Sequence, residues 1–424
     1  MKIVKTQTKD NSSEPLIKVF ENVLGTFSDS ATYKAKPPKG PPEELPTLKD
    51  EELDALKLPV FQDGGAYHEI ELIEDPDPIE VKLPTADNLT DVNICGIDGS
   101  NQRIDRSSFY FILARAAIVE FRYSINNAKP YFYTRTRNAG AVTWVDGNVF
   151  SESIKLFTKT PAKQEDTVNI LKDVEELGDR PLLMRYTPDT VDKSPSSHAL
   201  GWAVKLQQTL ELLCIKDVLT DIRTVCIKDG PLFSTSVSPS DTLEGLAPIF
   251  AWNDQVLIAC SKRVKDSSLL VEALLGNQAL REHWFAGQNL NDASLKAVAT
   301  DSLLLPRILN PGFRTPLMAA VPIARKLIVI QEPRLMPLSC YYLSRHRPHT
   351  YIRVEIPKFM YDQNKDTVDE AISLVAWQHE LGHRAPLVQL ASDNMCQLQA
   401  EKLILEKQTT AALLRQGLEF PEEY

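Results

Sequence analysis

Val92-Asn93-Ile94-Cys95-Gly96-Ile97 is a short apolar run that stops at Asp98-Gly99-Ser100, which reads as a buried strand followed by a turn. The pattern recurs downstream. Thr224-Val225-Cys226-Ile227 ends at Lys228-Asp229-Gly230-Pro231, and Gln255-Val256-Leu257-Ile258-Ala259-Cys260 ends at Ser261-Lys262. Residues 109–124 read as a further strand, part of it compatible with helix. Leu200, Ala203, Val204, Leu206, Leu210 and Leu213 keep a helical period over 198–219. Strands and helices that alternate in this way place the chain in the α/β class.

The first ninety residues differ. Residues 11–24 suit one amphipathic helix, with Leu16, Ile17, Val19, Phe20 and Val23 as its apolar positions. Lys36-Pro37-Pro38-Lys39-Gly40-Pro41-Pro42 excludes helix and reads as an extended linker. An acidic stretch with Glu69, Glu71, Glu74, Asp75, Asp77 and Glu80 follows. Residues 1–90 are expected to form an arm that docks a partner or serves as a spacer, and residues 91–424 the main domain.

Of 424 residues, 43% are apolar and 25% charged, the balance of a globular protein. No apolar run approaches the roughly 20 residues that span a bilayer. The first nine residues carry charge but no apolar signal core, so a cytoplasmic protein off the membrane is expected. Lysines and arginines number 47 against 57 acids, a formal charge of −10. Such a field repels nucleic acid at long range and excludes a histone-like coat. It leaves room for a nuclease, whose metal-binding carboxylates lower the net charge while a channel stays locally basic. None of the six cysteines, Cys95, Cys214, Cys226, Cys260, Cys340 and Cys396, stands in a C-x-x-C pair; they read as buried free thiols.

Asp98 and Asp229 occupy equivalent positions, each ending an apolar strand and preceding glycine. In open α/β sheets functional groups gather beyond the carboxyl ends of strands, although Asp-Gly is also a common turn dipeptide. Glu211 lies in the long helix among Leu210, Leu212 and Leu213, where a carboxylate is expensive to bury unless paired or metal-bound; on a solvent face it would have no role. Three such carboxylates could hold Mg²⁺ or Mn²⁺. Two ions about 4 Å apart would activate water and stabilise the leaving oxygen of a phosphodiester.

Ile97-Asp98-Gly99-Ser100 and Ile227-Lys228-Asp229-Gly230-Pro231-Leu232 resemble the two signature stretches of the NurA nucleases. The likeness continues through Ile258-Ala259-Cys260-Ser261-Lys262, Thr300-Asp301-Ser302-Leu303-Leu304 and Tyr351-Ile352-Arg353-Val354-Glu355-Ile356-Pro357. It covers residues 92 to 415 in the family's order. The resemblance implies an RNase H-like core with a mixed sheet and flanking helices, and an Mn²⁺- or Mg²⁺-dependent DNA nuclease acting as exonuclease, single-strand endonuclease or both. It also implies a homodimer docked on a HerA-like hexameric ATPase that feeds it DNA, in repair or antiviral defence. Asp98 and Asp229 match the family's metal-binding aspartates. Glu211 is matched to its helical glutamate, with Glu120 as competitor.

The departure lies near the C-terminus, where the family has a tyrosine, then Pro-Leu and an Ala-His step. Pro386-Leu387-Val388-Gln389-Leu390-Ala391-Ser392-Asp393 has no histidine there. Asp393 is the nearest metal-capable residue, and His383 lies where the tyrosine is expected; either could join the metal set, or the site could be inactive. A non-catalytic adaptor on DNA or on a HerA-like ring is therefore the alternative.

His379-Glu380-Leu381-Gly382-His383 also matches H-E-x-x-H, the zinc-protease helix, with Glu401 as a third ligand. Against it, Gly382 weakens the helix and Pro386 ends it within a turn. Among cations, Lys262 and Arg263 follow a strand and would share a rim with the two aspartates, where they could hold phosphates. Arg314, in Pro311-Gly312-Phe313-Arg314-Thr315-Pro316, is a further candidate for DNA.

Overall fold

The structure, a computed structural model, describes residues 67–85, 89, 92–106, 109–122, 131–144, 153–159, 195–218, 224–233, 255–262, 264, 267–286, 292, 295, 300–322, 332–347 and 349–415. The expected helix at 11–24, the proline-rich linker and Arg263 lie outside them.

Twelve strands among these residues form one mixed sheet. They are β1 (Tyr67–Leu72), β2 (Ile79–Glu80), β3 (Asn93–Arg106), β4 (Phe109–Arg122), β5 (Tyr131–Trp144), β6 (Ser153–Lys159), β7 (Thr224–Asp229), β8 (Val256–Ser261), β9 (Phe313–Arg314), β10 (Met318–Pro322), β11 (Pro337–Leu343) and β12 (Tyr351–Pro357). The main path runs β1-β10-β11-β12-β8-β7-β3-β4-β5-β6. β7 is parallel to both β3 and β8, whereas β3–β4, β4–β5 and β12–β8 are antiparallel. The helices are α1 (Pro195–Val218), α2 (Leu269–Gly276), α3 (Gln278–Trp284), α4 (Asp301–Ile308), α5 (Lys358–Gln363), α6 (Lys365–Gly382), α7 (Leu387–Cys396) and α8 (Gln399–Arg415). The class is mixed α/β with flanking helices, as the sequence predicts. None of these helices is long and apolar enough to cross a membrane.

The apolar runs that mark β3, β7, β8 and β12 are buried in one core with α1, α6 and α7. A second core forms where α2 and α4 meet β10 and β11. All six cysteines are buried thiols outside any disulfide; Cys95, Cys214, Cys226, Cys260 and Cys340 pack in the first core as small apolar side chains.

Two expectations change. β3 does not stop at Asp98; it pairs residue for residue with β4 as far as Arg106, because the long partner strand keeps its backbone hydrogen-bonded through a polar stretch. Gly99 is therefore no turn. A Cβ there would lie 2.5 Å from Glu211 Oε1, so the glycine leaves room for the Glu211 side chain of α1 against the sheet. After Asp229 the turn is present, with Gly230 at φ +78°, a conformation that favours glycine. The second change concerns the arm. Residues 67–85 belong to the body: β1 pairs with β10 and β2 with β9. The acidic stretch is anchored by Glu74, which accepts from Arg314 at 2.6 and 3.0 Å and from the Leu317 N–H at 2.8 Å.

Candidate metal centre

The parallel register of β3 and β7 sets Ile97 beside Lys228. The next residues, Asp98 and Asp229, therefore project to one face of the sheet. That face carries α7. Gly96 lies on it too, and a Cβ there would run into the Val388 carbonyl, so the α7 backbone rests directly on β3. The helix thereby brings Gln389 and Asp393, one turn apart, over the ends of β7 and β8. Lys262, just past β8, closes the cluster. Its Nζ lies 3.0 Å from Asp393 Oδ2, 3.2 Å from Asp229 Oδ2 and 3.7 Å from Asp98 Oδ2. Fully buried Gln389 donates through Nε2 to Asp229 Oδ1 and, at 2.8 Å, to the Cys260 carbonyl. Asp98 Oδ1 accepts from the Gly99 N–H at 2.7 Å. Ligand atoms of Asp98, Asp393 and Cys396 all lie within 4.8 Å of one another.

Glu211 reaches this region from the opposite face, where odd-numbered Gly99 points. Its Oε1 accepts from Gln207 Nε2 at 2.9 Å, and its Oε2 lies 3.2 Å from Lys228 Nζ, both charged side chains being buried. Gln207 Nε2 also donates to the Gly99 carbonyl at 2.9 Å, and Asn101 Nδ2 donates to Gln207 Oε1 at 2.6 Å. Lys228 Nζ donates to the carbonyls of Asp229 and Pro231 at 2.8 and 3.2 Å. Glu355 Oε2 accepts from the Leu232 N–H at 2.7 Å, and its Oε1 pairs with Arg353 at 2.7 Å. Buried charges thus grip the turn after Asp229 at both ends.

Burial, then the neighbouring Asp229 carboxylate, pushes Asp98 up to about 8; Lys262 pulls it back only in part. Burial alone would lower the Lys262 pKa, but Asp229, Asp393 and Asp98 hold it above the usual lysine range. Three carboxylates gather around the Lys262 ammonium on one face, and Glu211 pairs with Lys228 on the other. The donors are mainly carboxylate oxygens, the chemistry that a hard divalent ion takes. An ammonium already sits among three of the carboxylates. The residues present therefore fit Mg²⁺ or Mn²⁺ better than a softer metal.

The other sequence candidates fall elsewhere. Arg314 is not near the cluster's rim: it is buried between Glu74 and Asp369, because the segment that holds Glu74 folds over it. Glu120 pairs with Arg122 and Arg135 and lies opposite Cys95, away from Asp98. His383 is exposed and leaves the end of α6 at φ 73°; it does not join the cluster. The zinc arrangement is not formed either. His379 is buried edge-on to Tyr342, and burial lowers its pKa to about 4. Glu380 accepts from Tyr342 Oη, Ser344 Oγ and the Arg345 N–H, and Glu401 pairs with Arg115 at 2.8 Å. Sequence reasoning missed Gln389, Lys228, Gln207 and Glu355. The available signals were Gln207 one turn before Glu211, and two charged residues, Lys228 and Glu355, inside apolar strands.

No protein-family model and no curated protein matches the chain. Among solved structures, the chain is similar to the NurA nuclease from Sulfolobus solfataricus, at TM-score 0.40 and 12% identity, over 82% of this chain and 89% of that one. It is also similar to a NurA crystallised with manganese, at TM-score 0.16 and 10% identity, over 87% and 64% of the two chains.

Proposed function

We propose that the chain is a metal-dependent DNA nuclease that hydrolyses phosphodiester bonds. The supporting observation is the convergence of Asp98, Asp229 and Asp393, from two strands and a helix, around the Lys262 ammonium. Asp98, Asp229 and Asp393 would hold Mn²⁺ or Mg²⁺ through oxygen, with Glu211 as the fourth carboxylate, held ready behind them by Gln207 and Lys228. When bound, such an ion lowers the pKa of water and neutralises charge on the leaving oxygen. Gln389 fixes one Asp229 oxygen and leaves the other facing Lys262. Lys262 is a partly exposed cation at this rim and is suited to a phosphate.

The order of elements supports an RNase H-like core: β3, β4 and β5 are antiparallel, β6 extends them at the edge, and after α1 come β7 and β8, both parallel to β3. The net charge of −10 disfavours unaided capture of DNA. A homodimer seated on a HerA-like ring that delivers the strand would overcome this. The test is incubation of the purified protein with end-labelled DNA in Mn²⁺, Mg²⁺, Zn²⁺ or chelator. Cleavage in Mn²⁺ or Mg²⁺ and none in chelator is expected; no cleavage with any metal would leave the adaptor.

A further inference from the structure

We propose that Lys262 sets the metal affinity of the centre by competing with the divalent cation for the same carboxylates, so that DNA and metal bind cooperatively. The inference rests on the reading of Asp98, Asp229 and Asp393 as the metal-holding set. The Lys262 ammonium contacts all three from its place after β8, at 3.0 to 3.7 Å. An ammonium and a hard divalent ion seek the same charged oxygens. In the metal-free protein the ammonium is the counter-ion that lets carboxylates from β3, β7 and α7 stay together. A divalent ion that takes those oxygens must displace the ammonium or sit within a few ångströms of it. Either way its binding is opposed, by lost ion contacts or by repulsion.

Lys228 has no such part. It lies on the opposite face, buried, bound to Glu211 and to the carbonyls of Asp229 and Pro231. Lys262 differs because its side chain is 22% exposed, so the ammonium can swing from the carboxylates to solvent or to a backbone phosphate. A strand that draws Lys262 away lowers the opposition to metal, and bound metal in turn frees Lys262 for the phosphate. Such coupling is reciprocal by linkage. The centre would then fill fully only when a strand is present, which guards against idle metal loading.

The experiment is Mn²⁺ titration of the full chain by calorimetry, with free Mn²⁺ followed by electron paramagnetic resonance, for wild type, Lys262→Met, Lys262→Gln and Lys262→Arg. Lys262→Met and Lys262→Gln should bind Mn²⁺ about tenfold or more tighter, whereas Lys262→Arg, which keeps the charge, should stay near wild type. A non-cleavable phosphorothioate oligonucleotide should tighten Mn²⁺ binding to wild type but not to Lys262→Met. Should the methionine variant fail to fold, the glutamine variant, which keeps polarity and reach, carries the comparison. Equal or weaker Mn²⁺ binding by the neutral variants, with wild type binding normally, overturns the proposal and leaves the metal-centre reading intact. Absence of Mn²⁺ binding in every protein overturns both.

Discussion

Gly99 acts through an atom it lacks. Its missing Cβ is the space that Glu211 Oε1 and Gln207 Cγ occupy, at 2.5 and 2.7 Å from where that atom would be. Gly99→Ala should push Glu211 off its place while β3 stays paired. A displacement of about 1 Å at such a site can lower turnover on the order of 10²-fold. Cleavage rate against thermal midpoint checks this: a large loss of rate with a small shift in midpoint is expected, and an unchanged rate would remove Glu211 from the chemistry. At this scale the sequence told the chemistry of a side chain better than its surroundings. Asp98 and Asp229 lie together because each ends an apolar run, a local signal. Arg314, between prolines, read as a candidate for DNA, yet Glu74, 240 residues away in sequence, pairs with it in the interior. Burial alone would raise the pKa of Glu74, but Arg314 and the Leu317 N–H hold it below the usual carboxylate range. No local pattern announces such a partner.

Among the elements, the turn from Asp229 to Leu232 governs the centre. Lys228 holds its carbonyls and Glu355 holds its last N–H. Breaking a buried ion pair by removing one partner costs about 3–5 kcal/mol, so Glu355→Ala should lower both the thermal midpoint and the affinity for Mn²⁺. Glu355→Gln keeps an acceptor for Leu232 but loses the charge facing Arg353. It should restore metal affinity more than stability, and equal recovery of both would mean that Glu355 serves the fold alone. The strands β7 and β8 and the helix α1 were legible to within a few residues, because their apolar period is strong. The second half of β3 was not, since Ser100-Asn101-Gln102-Arg103 is polar and its strand form comes from pairing with β4. β1 was hidden for a similar reason: acidic Glu69 and Glu71 mask an edge strand that a tertiary partner, β10, completes.

For the molecule as a whole, the sheet makes one coherent device out of distant sequence. β3, β7, β8, α1 and α7 supply the residues of the centre across almost 300 positions, from Asp98 to Asp393. An excess of acid over base makes the protein a poor collector of DNA at long range, and the centre itself adds carboxylates to that field. The proposed cleavage would therefore depend on cations at close quarters, among them Lys262. Metal holding by the two strand-borne aspartates underlies the proposed cleavage of DNA. It is tested most directly by the rate at which Asp98→Ala and Asp229→Ala cut end-labelled DNA in Mn²⁺, with unfolding curves recorded on the same samples. Folded variants whose rate falls at least about 10²-fold are expected, the scale of lost transition-state charge stabilisation. A folded Asp98→Ala protein that cuts at the wild-type rate would contradict it.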